Sequence, residues 1–167
     1  MGTATDLGWC TLLGVRALGI DYGTRRIGLA LSDATGLLAR PWKTLTVSGG
    51  PERVAVVLAA EASALAAESD GLSAIALGYP RKLNGLPTGQ TAAVEALAAA
   101  LRSSIDVPIV LQDERLSSRE AESTLARREK DWRKRKPLLD AASAAVILQD
   151  YLDERARQEH RMESENA

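Results

Sequence analysis

The sequence predicts an α/β fold: one mixed five-stranded sheet flanked by helices. Two short apolar segments joined by a glycine-containing loop, with a third predicted strand soon after them, stand near the start of the chain, which is typical of an antiparallel meander. Two further apolar segments follow, each preceded by a helical pattern, which is typical of parallel strands joined by crossover helices. Because such crossovers are right-handed, we expect the fourth and fifth strands to lie beside the first. The ends of these strands would then cluster.

The antiparallel part begins with two segments that form a hairpin. Residues 16–21 and 26–32 are apolar and are joined by the short glycine-containing loop YGTR, which indicates a tight connection. A third strand is predicted over 39–46, before the sequence Ser48-Gly49-Gly50 interrupts the pattern. This part of the sheet is therefore an antiparallel arrangement of strands one, two and three.

The rest of the chain alternates helices with strands. Pro51 opens a first helix, where its missing N–H costs no hydrogen bond. The segments 73–79 and 107–112 are continuous apolar runs, as expected of buried strands. Helices are predicted over residues 51–69, 90–103, 118–128 and 137–158.

Composition indicates a globular chain of one domain and excludes several classes of protein. The 167 residues carry a formal net charge of −1, so the overall charge does not indicate a nucleic-acid partner. The one cysteine, Cys10, permits no internal disulfide, and no apolar run has the length of a membrane helix. We expect a cytoplasmic protein with a poorly ordered extension over 1–15, a domain over 16–158 and a frayed tail over 159–167.

Carboxylates follow two of the predicted buried strands and begin the last helix. Asp21 ends the first strand, Asp113 and Glu114 end the fifth, and Asp140 lies in the first turn of the helix. Since successive side chains of a strand point to opposite faces, only one of Asp113 and Glu114 shares a face with Asp21. Periodicity leaves that choice open. Each acid also has a purely structural interpretation, because aspartate commonly caps turns and helices.

Three converging carboxylates would form an all-oxygen site, the kind that favours Mg²⁺ or Mn²⁺ over Zn²⁺. A divalent ion removes the repulsion between the acids, and hydrolysis of a phosphodiester by bound metal needs little else from the protein. The only histidine, His160, lies in the predicted tail. A histidine base or a Ser-His-Asp triad is therefore not indicated.

A basic segment leads into the last helix. Residues 127–136 hold seven Lys and Arg against two acids, a local charge of +5. Such a segment suits the phosphate backbone of a nucleic acid, with Trp132 available for stacking on a base. The alternative is a solvated surface without a partner.

The loop at 78–90 and the first hairpin carry further positive charges. Glycines in the loop allow close backbone approach, Lys82 adds charge, and the following helix N-terminus attracts anions. The alternative is a plain connection, since glycine and proline mark most turns. Arg25 and Arg26 follow Asp21 and face either substrate phosphates or solvent.

Four segments together resemble the YqgF/RuvX family of bacterial RNase H-like proteins. In the family's order they are GIDYGTRRIGLALSD, GYPRKLNGLPTGQ, VLQDERLSSREAE and KRKPLLDAASAAVILQDYL. The resemblance covers about residues 16–153. It implies an RNase H-like fold and a divalent-metal nuclease of the kind described for pre-16S rRNA and, in a related form, for Holliday junctions.

The resemblance also implies roles for individual residues. The catalytic and metal-binding acids would be Asp21, Glu114 and Asp140, which selects Glu114 over Asp113. The arginine after the acid of the DER motif would contact a substrate phosphate. The candidate nucleic-acid-binding residues are Arg25, Arg26, Lys82, Arg115, Arg133, Lys134, Arg135 and Lys136.

The function that these features favour is a Mg²⁺- or Mn²⁺-dependent endonuclease acting on structured nucleic acid, namely the 5′ end of pre-16S rRNA in ribosome biogenesis. One alternative is a Holliday-junction resolvase, which would act as a homodimer to cut two strands symmetrically. A non-catalytic nucleic-acid-binding module is a second alternative. A third is an actin-like or sugar-kinase-like phosphate binder, which the chain length disfavours because those proteins need two lobes. The sequence does not separate RNA from DNA.

Overall fold

The computed structural model describes residues 16–82, 84–113 and 132–165, with residues 132–137 described by their backbone alone. The described residues form one sheet in the order β3-β2-β1-β4-β5. Strand β2 is antiparallel to both of its neighbours, β1 and β3, whereas β1, β4 and β5 run parallel to one another. The predicted mixed five-stranded sheet is thereby confirmed. The strands are β1 (Ala17–Tyr22), β2 (Ile27–Ser32), β3 (Ala39–Leu45), β4 (Ala74–Tyr79) and β5 (Ile109–Asp113).

Helices cover both faces of this sheet. In the described ranges they are α1 (Pro51–Ala66), α2 (Thr91–Ser104) and α3 (Trp132–Glu165). The first two pack on one face and α3 packs on the other, each over its own apolar cluster. The predicted helix over 118–128 and the extension over 1–15 lie outside the described residues.

The two faces of the sheet differ in the size of their side chains, because large and small residues alternate along the strands. The large residues facing α1 and α2 are Leu18, Ile20, Ile27, Leu29, Ile75 and Leu77. The small residues facing α3 are Ala17, Gly19, Gly28, Ala30 and Ala76. Helix α3 can therefore approach the sheet more closely than an ordinary helix does.

Helix α3 is longer than predicted at both ends. It begins at Trp132 rather than at Pro137, and it continues to Glu165 rather than ending near residue 158. Neither glycine nor proline follows Pro137 within the helix, so no residue forces it to end. An ion pair of 3.2 Å between Arg155 Nε and Glu159 Oε1, one turn apart, supports the added turns. Residues 159–165, assigned by the sequence to a frayed tail, are helical.

The β2–β3 loop fastens α3 to the far end of the sheet. Asp33 Oδ1 accepts hydrogen bonds from the N–H groups of Leu37 and Leu38 at 3.0 and 3.2 Å, which fixes the loop. Gln149 of α3 then accepts from the Ala39 N–H at 2.9 Å and donates to the Leu37 carbonyl at 3.0 Å. These bonds fix the axial position of the helix and hence the place of its first turns over β1 and β2.

The carboxyl ends of β1, β4 and β5 meet at one edge of the sheet, since these strands are parallel neighbours. Strand β2 begins at the same edge because it is antiparallel to β1. The predicted clustering of strand ends is thus present. Within the described ranges, no helix has a stretch that is long and apolar enough to cross a bilayer.

Candidate active site

Asp21 lies at the carboxyl end of β1, on the face of the sheet that α3 covers. Alternation along the strand sends Leu18 and Ile20 into the cluster under α1 and α2, so Asp21 points the other way. Its directly opposed partner on β2 is Gly28. Opposed residues of an antiparallel pair share a face, so the missing side chain at position 28 leaves space beside the Asp21 carboxylate.

Glycines on β1 and β2 let the backbone of α3 come into contact with the sheet. A Cβ atom at Gly28 would overlap the backbone carbonyl group of Asp140. A Cβ atom at Gly19 would lie 2.7 Å from the carbonyl oxygen of Ala144, one turn further along. Side chains larger than hydrogen at these two positions would push the helix outward. The glycines therefore place Asp140 beside Asp21, although 119 positions separate the two acids in the chain.

The side chain of Arg26 forms an ion pair with Asp140. Its Nε donates to Oδ2 of Asp140 at 2.6 Å, and both side chains are largely shielded from solvent, with exposed fractions of 31% and 24%. The β1–β2 turn that carries Arg26 is closed by a 3.0 Å hydrogen bond from the Gly23 N–H to the Arg26 carbonyl. A short charge-assisted bond from a fixed turn orients the Asp140 carboxylate.

The electrostatics of Asp21 follow from this arrangement. Burial, and after it the negative charge of Asp140, raise the pKa of Asp21 from 3.8 to about 6. Within the described part of the chain, no hydrogen bond or positive charge opposes this rise. Arg26 thus neutralises one acid of the pair and leaves Asp21, which is partly buried, without a positive partner among the described residues. A carboxylate in such a place is costly to ionise, and a cation between the two carboxylates would remove that cost.

A cavity of about 330 Å³ adjoins the acid pair. Its lining residues are Gly23, Thr24, Arg25, Arg26 and Asp140. Two arginines at its wall against one carboxylate give this lining a net positive charge. A phosphate group fits such a cavity chemically, because guanidinium groups match phosphate oxygens in geometry and charge.

The register of β5 decides which of the adjacent acids faces α3. Gln112 pairs with Gly78 and lies 3.5 Å from Glu154 of α3, so its side chain is on the α3 face. Asp113 pairs with Tyr79 and therefore lies on the opposite face. Glu114 is outside the described residues.

Lys82 lies in the loop that follows β4. The loop folds back on itself, with a bridge between Arg81 and Pro87 and a 2.9 Å hydrogen bond from the Lys82 N–H to the Leu86 carbonyl. The Lys82 side chain is exposed. Because β4 runs parallel to β1, this loop leaves the sheet at the same edge as Asp21.

The remaining candidate cations lie outside the described residues or are described by their backbone alone. Arg115 lies outside the described residues, as does the first part of the basic segment. The backbone of α3 includes the other four, which precede Asp140 by four to seven residues. They are Arg133, Lys134, Arg135 and Lys136.

Two features of the site were not singled out by the sequence: the glycine that admits α3, and the ion pair between Arg26 and Asp140. A signal for the first was present. Small residues occur at every second position of both opening strands, at 17 and 19 and again at 28, 30 and 32. The ion pair had no such signal, because its partners lie 114 residues apart in sequence.

Among the described residues, no group of three His, Cys, Asp or Glu side chains is gathered where it could hold a metal ion. The donors that do approach each other are the carboxylates of Asp21 and Asp140. Both offer oxygen only, which suits a hard divalent cation. The third acid expected from the sequence, Glu114, is not among the described residues.

Comparison with protein families and curated proteins gives consistent matches. The model of the RuvX family, described as Holliday junction resolvase, matches residues 15–154. A protein of Geobacillus kaustophilus (strain HTA426), named "Putative pre-16S rRNA nuclease", is 35% identical over 144 residues, covering 83% of this chain and 98% of its own. A protein of the same name from Leifsonia xyli subsp. xyli (strain CTCB07) is 41% identical over 143 residues, covering 84% and 86%.

A solved structure supports the same fold. RuvC of T. thermophilus, determined in complex with a Holliday junction substrate, superposes with a TM-score of 0.52 at 16% identity, covering 85% of this chain and 96% of RuvC. At this identity the likeness concerns the fold, which is RNase H-like. The match over residues 15–154 and the relatives at 35% and 41% identity show that the chain belongs to the RuvX family of Holliday-junction-resolvase-like nucleases.

Proposed function

We propose that this nuclease is a divalent-metal-dependent endonuclease that hydrolyses phosphodiesters of structured nucleic acid, with the 5′ end of pre-16S rRNA as its substrate. The observation that carries the proposal is the pair Asp21 and Asp140. Two carboxylates are brought together at a strand end of an RNase H-like sheet, and burial, followed by the negative charge of Asp140, raises the pKa of Asp21 to about 6. A structural acid would have a hydrogen-bond donor or a cation as its partner.

The residues present fit Mg²⁺ or Mn²⁺. Asp21, Asp140 and Glu114 would hold the ion, and all three supply only oxygen ligands. When bound, such an ion supplies the positive charge that activates a water molecule and stabilises the leaving oxygen of a phosphodiester. The sheet holds Asp21 on a rigid strand, and contact of α3 with Gly28 holds Asp140 against it.

The cationic residues bind and orient the nucleic acid. Arg25 and Arg26 line the cavity beside Asp140, where a phosphate of the cleaved strand would sit. Lys82, from the same edge of the sheet, would contact the backbone further along. We assign the same backbone-binding role to Arg115 and to the basic residues before Asp140, which are Arg133, Lys134, Arg135 and Lys136. Phosphate contacts of this kind position a substrate without reading its sequence.

The proposed rRNA substrate rests on the relatives. Proteins that are 35% and 41% identical over most of their length are named for pre-16S rRNA. Precursor rRNA is a structured polyanion, which suits an acid pair surrounded by arginine and lysine. Processing of ribosomal precursors would place the protein in the cytoplasm.

Branched DNA is the second candidate substrate. Two observations favour it: the description of the matching family model as Holliday junction resolvase, and the fold shared with RuvC. A symmetric cut of a four-way junction would require a homodimer. RNA and DNA present the same phosphodiester to the acid pair, so the cleavage chemistry is compatible with both.

A cleavage panel separates the two substrates. Purified protein in Mg²⁺ is incubated with an RNA that contains the 5′ leader of 16S rRNA and, separately, with a four-way DNA junction. We expect cleavage of the RNA and at least about a hundredfold slower cleavage of the junction. The Asp21→Asn variant should cleave neither, since catalytic carboxylates contribute about 10² to 10⁴ in rate. Faster cleavage of the junction would replace the proposed substrate, and cleavage by the variant at the rate of the unaltered protein would refute the proposed site.

A further inference from the structure

Arg26 has a closer relation to Asp140 than a residue that only attracts substrate would need. The 2.6 Å contact uses the Nε–H group, which points sideways from the side chain, and it engages Oδ2 of the carboxylate. Both partners are more than two-thirds shielded from solvent. A charge-assisted bond in this setting is stronger than an ion pair at an open surface.

This contact affects the ability of Asp140 to bind a metal ion. A carboxylate oxygen that accepts a hydrogen bond from a guanidinium has part of its negative charge neutralised. A divalent cation that approaches the same carboxylate is repelled by the guanidinium charge and competes with it for the oxygen lone pairs. Asp21 is not subject to this competition, because within the described residues only Asp140 contributes an electrostatic effect to it.

The surroundings of Arg26 offer a second position for its guanidinium. The residue lines the cavity of about 330 Å³ together with Thr24, Arg25 and Asp140. Its backbone is held by the β1–β2 turn, so only the side chain needs to turn. The two terminal nitrogens of an arginine carry four further N–H donors that are suited to a phosphate.

We propose that Arg26 is an internal counter-ion that competes with the divalent cation for Asp140, and that cation binding releases its guanidinium to the phosphate of the substrate. This inference rests on the proposed metal-dependent function and adds a regulatory property to that site. The protein would bind the metal ion weakly on its own. A substrate phosphate that engages Arg26 would free Asp140, and by reciprocity the metal ion would favour substrate binding.

The first test is the affinity of the metal-free protein for Mn²⁺, measured by titration calorimetry without nucleic acid. We expect Arg26→Gln to bind Mn²⁺ roughly five- to tenfold more tightly than the unaltered protein, the size of effect that one partly shielded charge pair produces. Arg25→Gln is the matched control, since Arg25 lines the same cavity and its removal should change the affinity less than twofold. Equal or weaker binding by Arg26→Gln would mean that Arg26 only holds Asp140 in place.

A second measurement needs no variant and covers the case in which Arg26→Gln does not fold. The Nε–H resonance of Arg26 is followed by NMR in the unaltered protein while Mg²⁺ is added. We expect it to move to the position of a free guanidinium as the site fills, and an unchanged resonance at saturation would overturn the inference.

Asp21→Asn separates the two proposals. Binding of Mn²⁺ by the unaltered protein but not by Asp21→Asn would support the metal site, even if the Arg26 prediction failed. Absence of Mn²⁺ binding in the unaltered protein would overturn both proposals.

Discussion

Asp21 and Gly28 are directly opposed across strands β1 and β2, and the hydrogen in place of a side chain at position 28 admits the backbone of Asp140. One glycine thereby connects the sheet that carries the first acid with the helix that carries the second. Asp21 and Asp140 are far apart in sequence, so only the packing of helix α3 on the sheet brings them together. The acid pair therefore depends on this contact. Glycine is required here for close packing rather than for an unusual backbone conformation.

Replacing Gly28 with alanine should separate the two acids. The added methyl group would overlap the helix backbone, which cannot move aside as a flexible side chain could. We expect a loss of about 3 kcal/mol in the free energy of unfolding, in the upper range for overpacking. Urea unfolding measures this loss, and nuclease activity should fall with it.

Gly89→Ala is the matched control for that substitution. A Cβ atom at position 89 meets no other atom within 4 Å. The variant should therefore unfold within about 0.5 kcal/mol of the unaltered protein, as surface substitutions usually do. If Gly28→Ala were equally neutral, helix α3 would not be packed against β2 as described.

The raised pKa of Asp21 predicts that this residue destabilises the metal-free protein at neutral pH. Its pKa is about 6 in the folded chain against 3.8 when unfolded, so between these values the folded state binds more protons and stability falls as the pH rises. The shift corresponds to a cost on the order of 3 kcal/mol above pH 6. Asp21→Asn should therefore raise the unfolding temperature at pH 7.5 in the presence of EDTA. The gain should disappear at pH 3.5, where the Asp21 carboxyl group of the folded protein is protonated and, like the amide of the variant, carries no charge.

Asp33→Asn provides the comparison with the opposite sign. Hydrogen bonds, first from the Thr35 side chain and then from the Leu38 backbone, lower the pKa of Asp33 in the folded chain. Its charged form therefore contributes stability above the unfolded pKa, and this is lost as the pH falls through the folded value. We expect Asp33→Asn to lower the unfolding temperature at pH 7.5. A rise for Asp33→Asn, or none for Asp21→Asn, would contradict the assigned environments.

Much of the fold is predictable from the sequence because local patterns determine it. The apolar segments of the strands, the glycine-containing hairpin and the proline at the start of α1 all lie within short windows, and the structure confirms each of them. The length of α3 was not predictable in the same way. Pro137 indicates a first turn, yet the helix backbone already includes Trp132, so the proline lies within the helix and does not mark its start.

The sequence offered Asp21 and Asp140 as candidates from their positions at a strand end and in the helix, but each also had a structural interpretation, and the contacts between them were not predictable. The choice between Asp113 and Glu114 could not be made from periodicity, since it depends on the register of β5 against β4. The partnership of Arg26 with Asp140 is a tertiary contact between distant segments, and no local pattern encodes it.

The register of β5 predicts different consequences for its two terminal acids. Glu114→Gln should reduce cleavage by about a hundredfold or more, because it removes one of the three carboxylates that we propose to be catalytic. Asp113→Asn should retain activity within about threefold, because Asp113 pairs with Tyr79 on the opposite face of the sheet. Single-turnover cleavage assays of both variants decide this. Loss of activity in Asp113→Asn with retention in Glu114→Gln would reverse the assignment.

The basic residues before Asp140 predict a dependence of RNA binding on salt. Neutralising Arg133, Lys134, Arg135 and Lys136 together should weaken binding and reduce the slope of log K against log salt by up to about 3, since each lost phosphate contact contributes about 0.7 to 0.9. Fluorescence anisotropy over a series of KCl concentrations gives the slope. Arg157→Gln with Arg161→Gln, exposed near the other end of α3, should leave it unchanged. An unchanged slope in the fourfold variant would mean that these four residues face solvent and do not contact the RNA backbone.

The central claim is that Asp21 and Asp140 catalyse phosphodiester cleavage through a bound divalent cation. It is tested most directly by single-turnover cleavage of the precursor RNA by EDTA-treated protein to which Mg²⁺ or Mn²⁺ is returned, beside Asp21→Asn under the same conditions. We predict no cleavage in EDTA, recovery with either cation, and a rate at least about a hundredfold lower in the variant at saturating metal. Full activity in EDTA, or equal rates for the two proteins, would contradict the claim.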